Sequence, residues 1–386
     1  MTEADTRRSR PFTVCHFGHH DPSYARNRIL AKALQRTGAE VVQLSDRRPF
    51  ARRAPGLLAA ALHGDFDLIL VGYPGNADVL PARLAGRQRR IPVVLDAFVS
   101  LWDSAVVDRK DVRAGSLAAA RYRAEDKVSC RLADLVLLDT ASHIDFFVDE
   151  LRLPPAKFRR VWIGADDDVM YPRVERAVRM PGGRSDDFTV FFYGSFLPLH
   201  GIEWIVRAAW MLELRGEQVR FVVAGSGPGS EAIHALAACL AVESVTFLGD
   251  VPYDELPVLM AQSDVCLGIF GTTPKAHRVI PNKVFDALAC ARAVVTADTV
   301  AARECLVHGQ HAWLCPPGNA EALANVILEL RDRPSARQCL AEAGYELFRQ
   351  RFSIDAISEL MKGVLADAAA CRHDSEQRPQ IKQEIA

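Results

Sequence analysis

The sequence predicts an α/β protein of two Rossmann-like domains facing each other across a cleft. Three observations predict it. At 386 residues the chain exceeds the size at which a single core stops growing, so two domains are expected. Runs that are apolar on both faces, such as Leu68-Ile-Leu-Val71 and Leu135-Val-Leu-Leu138, alternate with helical patterns, as in a buried parallel sheet. The alternation stops between Val161 and Asp187, where Gly164, Tyr171-Pro172 and Met180-Pro-Gly-Gly-Arg184 supply turn and linker residues, and then restarts.

Taken in order, residues 1–10 form a polar leader expected to be disordered, and residues 11–165 the first domain. Its expected strands are 12–17, 40–44, 68–72, 91–95 and 135–138. Helices are expected over 26–35 and 118–132, and a basic amphipathic stretch runs from Arg47 to His63. Residues 166–187 are the linker. The second domain, 188–351, repeats the pattern with strands 188–193, 219–224, 245–248, 265–269 and 293–296. Its helices are expected over 202–215, 230–240, 253–262, 320–332 and 335–351, with another starting near Pro281. A helix over 352–371 is expected to pack back on the first domain, and the polar end, 372–386, to be disordered.

Composition excludes several function classes. There are 47 Lys and Arg against 48 Asp and Glu, a net of −1, so nothing demands a polyanionic partner and no nucleic acid is expected. Residues 1–182 hold 29 of the cations against 23 acids, a net of +6, which leaves −7 for the rest. Arg47, Arg48, Arg52 and Arg53 precede the apolar Leu57–Leu62 run, a pattern compatible with peripheral contact at an anionic membrane and equally with a solvated helix. Nine cysteines form no CxxC pair, and several lie inside apolar runs, which suits free thiols in a reducing compartment. With no apolar signal region at the amino terminus and no run of about 18 apolar residues, a cytoplasmic protein is expected. Asp166-Asp167-Asp168 lies in the linker, and no metal site is assigned to it.

The chemistry concentrates between Arg278 and Asp298. Pro281 can open a helix, leaving the N–H groups of Asn282, Lys283 and Val284 pointing outward; with the Lys283 ammonium they would attract an anion such as phosphate. Asp286, one turn on, faces the same side and can accept hydrogen bonds from paired hydroxyls such as those of a ribose. Gly225-Ser-Gly227, following a strand, lets the backbone approach a nucleotide closely. Val251, at a strand end, is placed to contact a base. Gly18 and His19 follow the first strand, where a doubly wound sheet holds its ligands, and so are expected on the acceptor side.

With these domains, the Gly194–Gly201 loop, Gly225-Ser-Gly-Pro228, Val245-Thr-Phe-Leu-Gly249, Asp286-Ala-Leu-Ala and Gly309-Gln-His-Ala-Trp-Leu-Cys-Pro-Pro-Gly318, the chain resembles GT-B glycosyltransferases of family 4. The resemblance covers most of the chain and is densest over 188–325. It implies transfer of a sugar from a nucleotide-diphosphate donor to an acceptor hydroxyl, with retained anomeric configuration and no metal or other cofactor. Gly194, Ser195 and His200 would then line the phosphate loop, and Arg278 and Lys283 would stabilise the leaving diphosphate as charge develops on it.

The chain departs from the family pattern in three ways. The paired glutamates fall at Arg278 and Asp286, and an Arg in the first place offers a guanidinium fork to the donor phosphates. Ser195 and His200 replace the Arg and Lys of the phosphate loop. Phe98 stands where a His is common, leaving Asp96 and Asp103 as polar acceptor-side candidates. Base, sugar and acceptor stay open. A catalytically silent GT-B protein that binds a nucleotide or partners an active transferase is the alternative; a sugar-nucleotide epimerase of the same architecture is disfavoured by the 281–304 motif.

Overall fold

The computed structural model describes residues 10–173 and 187–377, with side chains through Cys371. Strands β1 (Thr13–Gly18), β2 (Glu40–Ser45), β3 (Leu68–Val71), β4 (Val93–Phe98), β5 (Leu135–Leu138) and β6 (Phe158–Arg160) form one sheet in the order β2-β1-β3-β4-β5-β6. A second sheet holds β7 (Phe188–Tyr193), β8 (Val219–Ala224), β9 (Val245–Gly249), β10 (Val265–Leu267), β11 (Ala293–Ala297) and β12 (Trp313–Cys315), in the order β12-β11-β10-β7-β8-β9. Every pairing is parallel. The order reverses at β1 and β7, and a crevice opens beyond the carboxyl ends of such strands. Gly18 and Gly194 stand at those two points.

The connecting helices of the first domain are α1 (Ala25–Arg36), α2 (Phe50–His63), α3 (Val79–Arg89), α4 (Leu117–Leu132) and α5 (Ala141–Leu151). The second domain carries α6 (Ile202–Leu214), α7 (Ser230–Cys239), α8 (Leu256–Ala261), α9 (Asn282–Ala289), α10 (Val300–Arg303), α11 (Ala320–Asp332) and α12 (Pro334–Arg351), and α13 (Ile354–Gln377) is the last element among the described residues. Side-chain caps fix several starts: Ser116 accepts from the Ala119 N–H, Thr140 from His143, Thr299 from Ala302 and Asn319 from Ala322.

Two buried features fix the point where the chain leaves the first domain. Arg26 on α1, fully buried, donates to Asp96 on β4 and to the carbonyls of Val161 and Trp162, which lead out of the first domain. Phe352, also fully buried, packs edge-on against Trp162 at 5.6 Å and Phe285 of α9 at 4.8 Å. From there α13 crosses back to lie along α1. One apolar cluster therefore runs from Val14 and Leu30 through Trp162, Met170 and Phe352 to Phe285 and Val294.

Several boundaries differ from those expected. Arg10 belongs to the ordered domain, pairing with Asp67 at 2.9 Å, so of the leader only residues 1–9 lie outside the described residues. Of the linker, 174–186 lie outside them. Helix α13 runs on to Gln377, past the expected end at 371; of the tail, 378–386 lie outside. The fourth strand starts at Val93, because Pro92 has no N–H for the ladder, and α8 is confined to Leu256–Ala261 between Pro252 and Gln262. Helices α3, α5 and α10 and strands β6 and β12 had no counterpart in the sequence reading.

Candidate functional site

The loops after β7 and β8 pack against each other backbone to backbone. A Cβ added to Gly225 would fall 2.1 Å from the Gly194 carbonyl oxygen, and one on Gly227 only 1.9 Å from that of Ser195. Only glycine fits there. Gly194 in turn faces the His200 ring and the Lys283 side chain, 2.9 and 3.2 Å from an added Cβ. Ser195 stays exposed.

Lys283, in the first turn of α9, is buried against this glycine floor with its Nζ 3.3 Å from His200 Nε2 and over the rings of Phe192 and Tyr193. Burial pushes its ammonium down to about 7, opposed only by Asp286. His200 lies well below its ordinary value, first through burial and then through Lys283 and Lys275. The Lys283 ammonium can only donate, so where it is charged a neutral His200 accepts at Nε2 and carries its proton on Nδ1, which has no partner. Of the three N–H groups expected to point outward, that of Val284 instead donates to Pro281, which leaves those of Asn282 and Lys283.

Asp286 occupies the expected face of α9, but the hydroxyls it holds are tyrosyl. Tyr193, directly before Gly194, donates to one carboxylate oxygen, and Tyr253, two residues after Val251, to the other at 3.1 Å. The open carboxylate expected for a ribose is therefore occupied. Burial lifts its carboxyl to about 7 against the pull of both tyrosines. Val251 is half-buried on the rim of the core beside Tyr253.

Arg278 is corrected most. Its guanidinium does not join Lys283: Nη2 donates to Asp103 Oδ1 at 2.7 Å across the cleft, and the cation lies 4.1 Å over the Phe146 ring. Donor-side Arg278 and acceptor-side Asp103 are thus one ion pair between domains. Two further bonds flank it, Lys275 to Ser104 at 2.6 Å and Thr273 to Asp108 at 2.9 Å. The acceptors project from a π-helical turn, Asp103–Asp108. Thr140 donates to the Arg278 carbonyl at 2.6 Å, while Glu304 accepts from the Ala141 and Ser142 N–H groups at the start of α5.

Asp96 is corrected as well. It sits fully buried with Arg26 rather than facing an acceptor; burial raises its carboxyl, and Arg26 opposes the rise. Gly18 and His19 do line the loop after β1, where the His19 N–H and Arg53 both donate to Asp78, each at 2.8 Å. In the basic stretch Arg47 pairs with Asp21, Arg48 with Asp46 and Arg53 with Asp78, while Arg52 is exposed. Asp166 binds Arg28 and Lys32, and Asp167 accepts the Ile354 N–H, so that run is structural. Among the described residues no cluster of three His, Cys, Asp or Glu is arranged to hold a metal, and no helix is long and apolar enough to cross a membrane.

The sequence reading missed Tyr193, Tyr253, Lys275 and Asp108. The two tyrosines had a signal, since they flank Gly194 and Val251; Lys275 and Asp108 had none.

Comparison with known proteins bears on the fold. Residues 187–333 match the family described as group 1 glycosyl transferases. The chain is 24% identical over 245 residues, 62% of each chain, to an α-D-kanosaminyltransferase of Streptomyces kanamyceticus. It is 29% identical over 239 residues to a D-inositol 3-phosphate glycosyltransferase of Kribbella flavida, covering 59% of this chain and 55% of that one. It thus spans less than two thirds of the length of these curated relatives. Among solved structures it resembles Anabaena HepE in complex with UDP (18% identity, TM-score 0.69, 92% of this chain and 100% of that one). Sucrose-phosphate synthase from Thermosynechococcus elongatus is similar at 19% identity and TM-score 0.73, covering 94% and 100%. At such identities the likeness is one of fold, and the fold is GT-B.

Proposed function

We propose that this GT-B chain, whose carboxyl-terminal domain matches the group 1 glycosyl transferases, moves a sugar from a nucleotide-diphosphate donor to an acceptor hydroxyl. One observation carries the reading: a buried lysine at a helix start, held over a floor that only glycine backbone can form. In that setting an ammonium and free N–H groups face a site with little competing water, where they stabilise charge far better than in bulk solvent. The diphosphate belongs there, with its leaving oxygen toward Lys283. Retention of anomeric configuration, with a donor phosphate oxygen taking the acceptor proton, is the chemistry this reading adopts. No resident metal or cofactor is part of it. The free, mostly buried cysteines support a reducing, cytoplasmic setting.

A silent, nucleotide-binding GT-B protein is the second reading, favoured by two observations: Asp103 neutralises Arg278, and two tyrosines occupy Asp286. Calorimetric titration with UDP, GDP, ADP and TDP, without added metal, tests the donor site. Selective binding of one diphosphate, lost in Lys283→Ala, is expected; absence of any binding defeats the donor reading. Release of free sugar from the matching nucleotide-sugar then separates enzyme from silent binder, and the anomeric proton of a transfer product reports retention or inversion.

A further inference from the structure

Arg28 lies on α1 in the amino-terminal domain, yet its guanidinium covers a side chain of the other domain, with Cζ 4.4 Å from the centre of the Tyr253 ring. Tyr253 is itself held at Asp286, whose second oxygen takes Tyr193. That knot joins three pieces of the candidate donor site: the loop of Gly194, the loop of Val251 and helix α9. Arg28 closes over it from across the cleft.

Its own bonds orient it. Nε donates to Asp166 and Nη1 to the Ser23 carbonyl, each at 2.7 Å. Nη2 is buried and has no partner. A guanidinium held at two nitrogens, placed over a ring and left with a buried spare donor is uncommon, because buried donors are normally satisfied.

We propose that Arg28 is a positioning residue for the donor, lent by the amino-terminal domain. Its planar face fixes Tyr253 and with it the Val251 loop, and its spare Nη2–H is available to an oxygen of the nucleoside. Donor affinity is then coupled to domain closure, since the residue arrives with the opposite lobe. The inference rests on the donor reading above.

Arg28→Lys is the informative change. It keeps a cation beside Asp166, which Lys32 also binds at 2.5 Å, but it removes the flat face and the fork. In the calorimetric titration with UDP, GDP, ADP and TDP, the diphosphate that binds the wild type is expected to bind Arg28→Lys about tenfold more weakly. The melting temperature should stay near that of the wild type, an outcome that a merely structural role would not give. In a Tyr253→Ala background the same change should cost no more than about twofold, because the two residues act as a unit. Affinity unchanged in Arg28→Lys, or an equal loss in both backgrounds, overturns the proposal. Should Arg28→Lys fail to fold, Tyr253→Ala alone decides, with a similar loss expected and unchanged affinity overturning it. If the wild type binds a diphosphate and Lys283→Ala abolishes that binding while Arg28→Lys does not alter it, only this proposal falls. No binding by the wild type removes both.

Discussion

Lys283 and Asp286 are buried together on one short helix, and both titrate near neutrality. The folded protein holds Lys283 below its ordinary value of 10.5, so between there and about 7 the unfolded chain carries a proton that the folded chain lacks. This group's contribution to stability is therefore full above the ordinary value and declines as the pH falls to about 7. Donor binding runs the other way, because a diphosphate favours the ammonium. Affinity should be level below a pH of about 7 and weaken above it, by up to about tenfold per unit. Ionisation of Asp286 in the same window adds repulsion of the same sign. Titrations from about pH 6 to 9 check this, and Lys283→Arg, which stays charged, should flatten the curve. The position of Lys283 at a helix start was legible in the sequence. What it faces was not: burial against Gly194 and His200 arises only when loops some 80 residues apart in the chain meet.

At the scale of elements, the packed loops after β7 and β8 leave no room for a methyl group. Gly227→Ala should destabilise by about 1–3 kcal/mol through overpacking and weaken diphosphate binding, as read by thermal denaturation and calorimetry; a variant with wild-type melting would contradict the close approach to Ser195. Elements with strong periodicity were readable from sequence, and β5, β7, β8 and α11 fall where their apolar runs place them. Helix α5 went unassigned although Thr140 caps it and Ile144, Phe147 and Leu151 recur at helical spacing. Its neighbour β6 is three residues long, too short to show a period. The Asp103–Asp108 turn has no sequence signature, and Lys275 and Thr273 reach it from the second domain.

Across the whole molecule, the halves are joined on two sides. On the cleft side Asp103 and Arg278 meet with side-chain exposures of 1% and 19%. Arg278→Ala should leave the Asp103 carboxylate uncompensated and cost about 2 kcal/mol, less than for a fully sealed pair. It should also open the cleft, raising the radius of gyration in solution scattering above the roughly 21 Å of a compact chain of this length. Replacing both partners by Ala should recover much of the stability while the cleft stays open; a closed double variant would show that the pair does not hold the lobes. The two-domain plan was legible from the interrupted alternation alone, but this contact was not, because its partners stand 175 residues apart. On the far side, α1 finds its covering helix in α13, more than three hundred positions later. A ribosome making this chain would release the first lobe with that flank still bare, and its apolar residues would stay wet until the last helix emerged. Translation order and folding order therefore part company: the lobe begun first is the one completed last.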